Sequence, residues 1–209
     1  MAFDIGKYEG KVSPKRLLYL GKPKIVEHFL YSELLKNKDA RILDCGCGAG
    51  DDTRYLVGNG LKNTIGIDHN RMNMELGFDY YGDKEKLSGN FIIGDACAMP
   101  FNSGHFDYVY SNSLIHYLSN RENVHKFLDE AHRVLKSGGI NFGSTPGRLD
   151  RIITIKDECD GHNILFLTEE SFKTDMEEVG FRNVYITGSD FTDPLTNEKL
   201  YMFQFISMK

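Results

Sequence analysis

Short apolar runs recur along this chain of 209 residues, and stretches with helical spacing separate them. Ile42 and Leu43 close the first run at Asp44, and residues 64–68, 90–96, 106–112 and 141–145 supply four more β-prone segments. A helical pattern follows the first strand over residues 51–58. Another leads into Leu135-Lys136-Ser137-Gly138-Gly139, whose glycines suit a left-handed helix stop and the turn into strand five. Upstream, Ser13 is a helix cap with Pro14 at the first helical position, and residues 24–35 predict a second helix with Ile25, Phe29 and Leu30 on one face. Downstream, Pro146-Gly147 predicts a turn and residues 148–167 follow no clear period. Thr168 caps a helix running to Val179, with Gly180 as its stop, and residues 183–187 and 200–207 predict two further strands. Strands alternating with helices predict an α/β fold, a parallel sheet with helices on both faces.

The chemistry concentrates in Arg41-Ile42-Leu43-Asp44-Cys45-Gly46-Cys47-Gly48-Ala49-Gly50. Glycines alternating at Gly46, Gly48 and Gly50 permit a tight turn with no Cβ in the way, so a ligand can lie against backbone N–H groups. The loop feeds a helix N-terminus, which favours an anionic or electron-rich group. A dinucleotide loop needs Gly-x-Gly-x-x-Gly. Here the third glycine comes one residue early and a carboxylate precedes the first.

Asp-x-Gly-x-Gly-x-Gly resembles motif I of the class I S-adenosylmethionine-dependent methyltransferases. That resemblance implies a Rossmann-like, seven-stranded, mostly parallel sheet closed by a C-terminal antiparallel strand pair. It also implies S-adenosyl-L-methionine as cofactor, its methionine part wrapped by Gly46, Cys47, Gly48 and Gly50, with Asp44 near its ammonium group. The succeeding strand ends match in order. Asp68, at the end of Thr64-Ile65-Gly66-Ile67-Asp68, takes the place of the family's ribose-binding acid. Gly94-Asp95-Ala96, with Met99-Pro100-Phe101 behind it, resembles the adenine site, Asp95 accepting from the amino group and Ala96 holding the ring. Phe106-Asp107-Tyr108-Val109 matches the family's fourth strand, and Ser111 at its end is a further expected cofactor contact. Leu135-Lys136-Ser137-Gly138-Gly139 resembles the family's Leu-Lys-Pro-Gly-Gly, with Ser137 in place of Pro. Residues ahead of motif I form a lid in this family, so residues 1–37 are expected to be a helical lid. Tyr8, Arg16 and Tyr19 are its candidate cofactor or substrate contacts, Arg16 being suited to grip a carboxylate. Residues 146–167 are expected to border the pocket as an insertion in a single domain.

Methyl transfer is an in-line displacement, so positioning dominates, aided by a base where the nucleophile carries a proton of high pKa. His116, just beyond strand four, is the expected base or the group that orients the nucleophile, and in relatives a His here also contacts the cofactor. No Asn-Pro-Pro-Tyr or Asp-Pro-Pro-Tyr follows strand four and no Pro-Cys occurs, which disfavours amino methylation of nucleic acid bases and covalent cytosine-C5 chemistry. The expected reaction is therefore methylation of an oxygen, nitrogen or carbon of a small metabolite. RNA or protein methylation and a non-catalytic cofactor-binding module are the alternatives. The formal charge of -5 argues against a broad nucleic-acid surface, although Lys7, Lys11, Lys15, Arg16, Lys22 and Lys24 make the first thirty residues locally basic. Four cysteines form no disulfide framework, no apolar leader opens the chain, and no run is long enough to cross a bilayer. These features predict a cytoplasmic protein with no membrane contact, and a monomer or homodimer is the expected state. The acids around His162 match no metal-ligand spacing, so no metal is expected.

Overall fold

The computed structural model describes residue 7 and residues 20–156, 161–192 and 199–209. Nine strands occur among them: β1 (Ile42–Cys45), β2 (Thr64–Asp68), β3 (Phe91–Ile93), β4 (Phe106–Asn112), β5 (Leu135–Gly147), β6 (Ile153–Lys156), β7 (Asn163–Phe166), β8 (Arg182–Thr192) and β9 (Lys199–Met208). The helices are α1 (Tyr31–Leu34), α2 (Asp51–Gly58), α3 (Arg71–Tyr81), α4 (Lys84–Leu87), α5 (Arg121–Val134) and α6 (Glu169–Val179). Seven strands make one sheet in the order β3-β2-β1-β4-β5-β9-β8. The ladders are parallel from β3 to β5, and β9 runs antiparallel between β5 and β8. The expected closing pair is therefore present, and longer than its apolar cores alone suggest.

β1 lies between β2 and β4, with Leu43 opposite Ile65 on one side and Val109 on the other, and all four of its residues are buried. That burial is why its sequence reads as an unbroken run. Each sheet face carries its own core. Leu43, Cys45 and Val109 pack with Val124, Phe127, Leu128 and Ala131 of α5 and with Phe172 and Met176 of α6. On the other face Ile42, Tyr110 and Phe142 meet Ile25, Leu34, Leu56 and Leu61. Apolar residues at 124, 127, 128, 131 and 134 give α5 one stripe toward the sheet, and Asn120 caps it by accepting from Asn123 N–H at 2.9 Å. Cutting Phe127 back to Ala would cost about 3–5 kcal/mol.

Three expectations change in the structure. The helix expected over 24–35 is a 3₁₀ turn at Ile25–Glu27 and the single α turn α1, separated by His28 in extended conformation. Asp52 takes the N–H groups of Lys24 and Ile25, which ties this segment to α2 instead of to its own helical continuation. α5 stops at Val134 rather than at Gly138, because the carbonyls of Arg133 and Val134 accept from Gly104 and His105 N–H, and β5 begins at once. Gly138, with φ +74°, lies instead in the excursion where β5 slips register beside Phe106. Pro146 and Gly147 do not turn; they continue β5 opposite Met202 and Tyr201. β4 has already ended at Asn112, so at Pro146 that side of β5 is an edge, where Pro is tolerated.

Residues 148–167 contain the hairpin β6–β7, paired from Ile153↔Phe166 to Lys156↔Asn163 and separate from the main sheet. It packs on the 3₁₀ turn Ile115–Leu118 that follows β4.

Candidate functional site

The order of strands reverses between β1 and β4, and in such sheets the crevice beyond the carboxyl ends at the reversal is where ligands bind. The glycine loop occupies that place. Gly46 and Cys47 N–H both donate to Ile67 O, at 2.8 and 3.1 Å, and Gly50 N–H donates to Cys47 O at 2.8 Å. Gly46, Gly48 and Gly50 have φ of +68°, +59° and +79°, values that a side chain strains. A Cβ on Gly46 would stand 2.9 Å from Leu114, and one on Gly50 would stand 2.3 Å from the Phe91 ring. Packing of Leu114 and Phe91 against the loop thus leaves no room for a side chain at Gly46 or Gly50.

Two buried carboxylates frame it. Asp44 accepts from Thr53 Oγ1 at 2.6 Å, and Asp68 accepts from Gly48 N–H through Oδ2 and from Asn70 N–H through Oδ1, both at 2.8 Å. Asp68 therefore orients the loop as well as presenting a charge beside it. Asp95 and Ala96 stand past the end of β3 on the same edge of the sheet. Asp95 is exposed and accepts from Cys97 N–H at 2.8 Å, while Ala96 is buried in the core. Ser111, fully buried opposite Cys45 and Gly143, has an Oγ with no hydrogen-bond partner among the described residues. Arg16, Tyr19 and Tyr8 lie outside the described residues.

His116 sits buried in the turn Ile115–Leu118, its ring 4.2 Å from that of Tyr117 and 6.3 Å from the near-parallel ring of Phe166 on β7. The turn is held at its base: Ser113 N–H donates to Ser144 O at 2.8 Å, and Ser144 Oγ donates to Asn112 Oδ1. Ser113 and Ser119 take left-handed φ of 55° and 68° on either side of it. The structure thus gathers Asp44, Cys47, the three glycines and Asp68 into one cradle. It places Ser111 and His116 at the end of the neighbouring β4.

Several positioning residues escape a reading of the sequence. Arg54, one turn into α2, is buried under the rings of Phe78, Tyr81 and Phe91 at 4.7–5.0 Å. Its Nε and Nη2 take both oxygens of Asp83, at 2.8 and 3.1 Å, and its Nη1 donates to Ala49 O in the loop. Asp51 accepts from Gly21 N–H at 2.9 Å and Tyr81 Oη at 2.6 Å. Asp52 accepts from Lys24 and Ile25 N–H, at 2.5 and 2.8 Å, and from Tyr110 Oη at 3.1 Å. Burial raises the Asp52 carboxyl to about 6 against these donors. In sequence these three residues read as an ordinary charged helix start, and nothing local reveals their distant partners. Burial also pushes the Cys45 thiol well up, aided by the Asp44 charge, and raises Cys97 to about 11, so both are thiols and poor nucleophiles.

Among the described residues one grouping has metal-ligand chemistry: His125, Asp175 and Glu178, on the seam of α5 and α6. Arg121 already takes both oxygens of the buried Asp175, and His125 Nε2 lies 3.0 Å from it. This reads as a charge network joining two helices.

Residues 43–142 match the family model described as a methyltransferase domain. The sterol 24-C-methyltransferase of Aspergillus fumigatus is 33% identical over 116 residues, which cover 54% of this chain but only 30% of that protein. The 1,6-didemethyltoxoflavin-N1-methyltransferase of Burkholderia thailandensis, solved with 1,6-didemethyltoxoflavin and S-adenosylhomocysteine, has a TM-score of 0.74 at 15% identity, covering 98% of this chain and 84% of that one. A SAM-dependent methyltransferase of Archaeoglobus fulgidus has a TM-score of 0.66 at 18% identity, covering 98% of both chains. The structural likenesses speak for the fold, and the family model covers the strands and the glycine loop that build the crevice. Over residues 43–142, just under half of its length, this chain is similar to the methyltransferase-domain family, and it shares the fold of the solved methyltransferases.

Proposed function

We propose that the protein transfers a methyl group from S-adenosylmethionine to an oxygen, nitrogen or carbon atom of a small metabolite. The observation that carries the reading is the glycine turn at Gly46–Gly50 beyond the end of β1, with Asp68 bound to Gly48 N–H and buried Asp44 ending the strand. When bound, the cofactor supplies an electrophilic methyl carbon on a sulfonium. The chain's residues hold and shield. The glycine loop lies against the methionine part, Asp44 and Asp68 answer its ammonium and ribose hydroxyls, and Asp95 and Ala96 take the adenine. Ser111 offers its unpartnered hydroxyl to the same ligand. His116 accepts the acceptor's proton or aligns its nucleophilic atom, held by the Phe166 ring and the Ser113–Ser144 bond. Residues 1–37 serve as a lid and residues 146–167 as a pocket wall within one domain. We place the protein in the cytoplasm, where the thiols of Cys45, Cys47 and Cys97 stay reduced. Among the described residues no helix is long and apolar enough to cross a membrane.

The test is to supply methyl-labelled cofactor with a cell metabolite extract and to identify the labelled product by mass, alongside calorimetry with S-adenosylhomocysteine. Failure to bind S-adenosylhomocysteine would refute the reading. His116→Ala should lower turnover by about a hundredfold if the residue is a base, while leaving cofactor affinity within threefold. Unchanged turnover would remove His116 from the chemistry.

A further inference from the structure

β5 delivers Arg148 to the carboxyl end of the sheet, one residue beyond Gly147, where its N–H donates to Leu167 O at 2.9 Å. Its Nε is buried and has no hydrogen-bond partner among the described residues. The other buried or half-buried guanidinium groups among the described residues are matched: Arg54 with Asp83 and Arg133 with Glu130. No carboxylate of the described residues forms an ion pair with Arg148. Leaving a buried cationic donor unsatisfied costs more than leaving a neutral one, so such a group calls for a partner that the fold does not supply.

Its surroundings identify the partner's place. Leu167 adjoins Phe166, whose ring lies over His116, and β4 and β5 are neighbours up to Asn112↔Ser144. Arg148 and His116 therefore follow the carboxyl ends of the adjacent strands β5 and β4, both beside the segment Phe166–Leu167 that ends the β6–β7 hairpin. The glycine cradle lies on the other side of β4, beyond β1. Resting on the methyltransferase reading, we propose that Arg148 binds an oxyanion of the methyl acceptor, a carboxylate or a phosphate, and so makes this enzyme selective for anionic small molecules. A planar guanidinium with an unused Nε suits a two-oxygen grip on such a group.

The probes are inorganic phosphate and acetate, titrated at constant ionic strength into the full chain saturated with S-adenosylhomocysteine. The Arg148 Nε–H resonance is followed and is assigned by its loss in Arg148→Lys. A saturable shift with one or both anions is expected, and which anion saturates at lower concentration separates phosphate from carboxylate recognition. No saturable shift, or the same shift with chloride, overturns the proposal. With an acceptor in hand, Arg148→Gln should raise its KM about tenfold or more, the loss of one charge-assisted contact, with kcat little changed and Arg148→Lys in between. The neutral amide or ester of the acceptor should be about as poor with the native protein. Arg148→Gln should bind S-adenosylhomocysteine as the native protein does. A weakened affinity there would assign the residue to the cofactor and also overturn the proposal. Native protein that fails to bind S-adenosylhomocysteine would instead refute the underlying methyltransferase reading.

Discussion

Asp68 grips two main-chain amides with its two oxygens, one in the glycine loop and one in the turn to α3. Asp68→Asn keeps the size but sets an amide NH₂ against one of these donors and removes the charge. S-adenosylhomocysteine affinity should fall about tenfold or more, the scale of a charge-assisted hydrogen bond, read by calorimetry; an unchanged affinity would contradict the assignment. Gly77 gives a sharper case. In an exposed helix, Gly→Ala stabilises by about 1 kcal/mol. A Cβ at Gly77, however, would stand 2.0 Å from Ala49 O and 2.9 Å from Arg54 Nη1, so overpacking wins. Gly77→Ala should destabilise by about 1–3 kcal/mol in urea unfolding, and stabilisation would show that the loop yields freely. The sequence displays Gly46, Gly48 and Gly50 because their spacing is a local pattern. Gly77 is invisible there, because its reason for being small lies in a different element.

Between elements, consecutive acids at the start of α2 clasp the segment 21–25, and protonation bears on that clasp. Burial holds the Asp52 carboxyl near 6, above its ordinary 3.8, so its contribution to stability is full below about 4 and is lost as pH rises through 6. Burial holds His28, in the same segment, near 4 against an ordinary 6.5. Its contribution is full above 6.5 and is lost as pH falls through 4. The two slopes oppose each other between about pH 4 and 6, each worth about 3 kcal/mol at most. Asp52→Asn, which can still accept from Lys24 and Ile25 N–H and donate to Tyr110, should gain stability at pH 8 and lose it steeply toward pH 4.5. Urea midpoints across that range that stay parallel to those of the native protein would reject the account. Legibility follows the same divide. α6 is plain in sequence because Thr168 with Ser171 and Gly180 mark its ends locally. The region 24–35 misleads because Asp52, distant in sequence, captures the amides a helix would have used, and α5 ends early because residues 104 and 105 claim its last carbonyls.

Across the whole molecule, alternating strands and helices predict a parallel sheet with a carboxyl-end crevice, and the glycine spacing marks the loop at that crevice, so the proposed cofactor side of the site is readable before any coordinates. The acceptor side is not. It is assembled from the end of β5, the turn after β4 and a hairpin whose sequence has no clear period, and Arg148 gains meaning only when its surroundings are known. That hairpin satisfies its ladder within itself, contributing no strand to the seven-stranded sheet. Under the proposed function, recognition of the acceptor and retention of the cofactor are mechanically separable. Grafting residues 152–166 from another family member should leave S-adenosylhomocysteine affinity within about threefold, under half of one decade, while changing which compounds are methylated. Should the graft abolish cofactor binding, the two would be one unit. Otherwise natural variation can rewrite this wall without disturbing the floor.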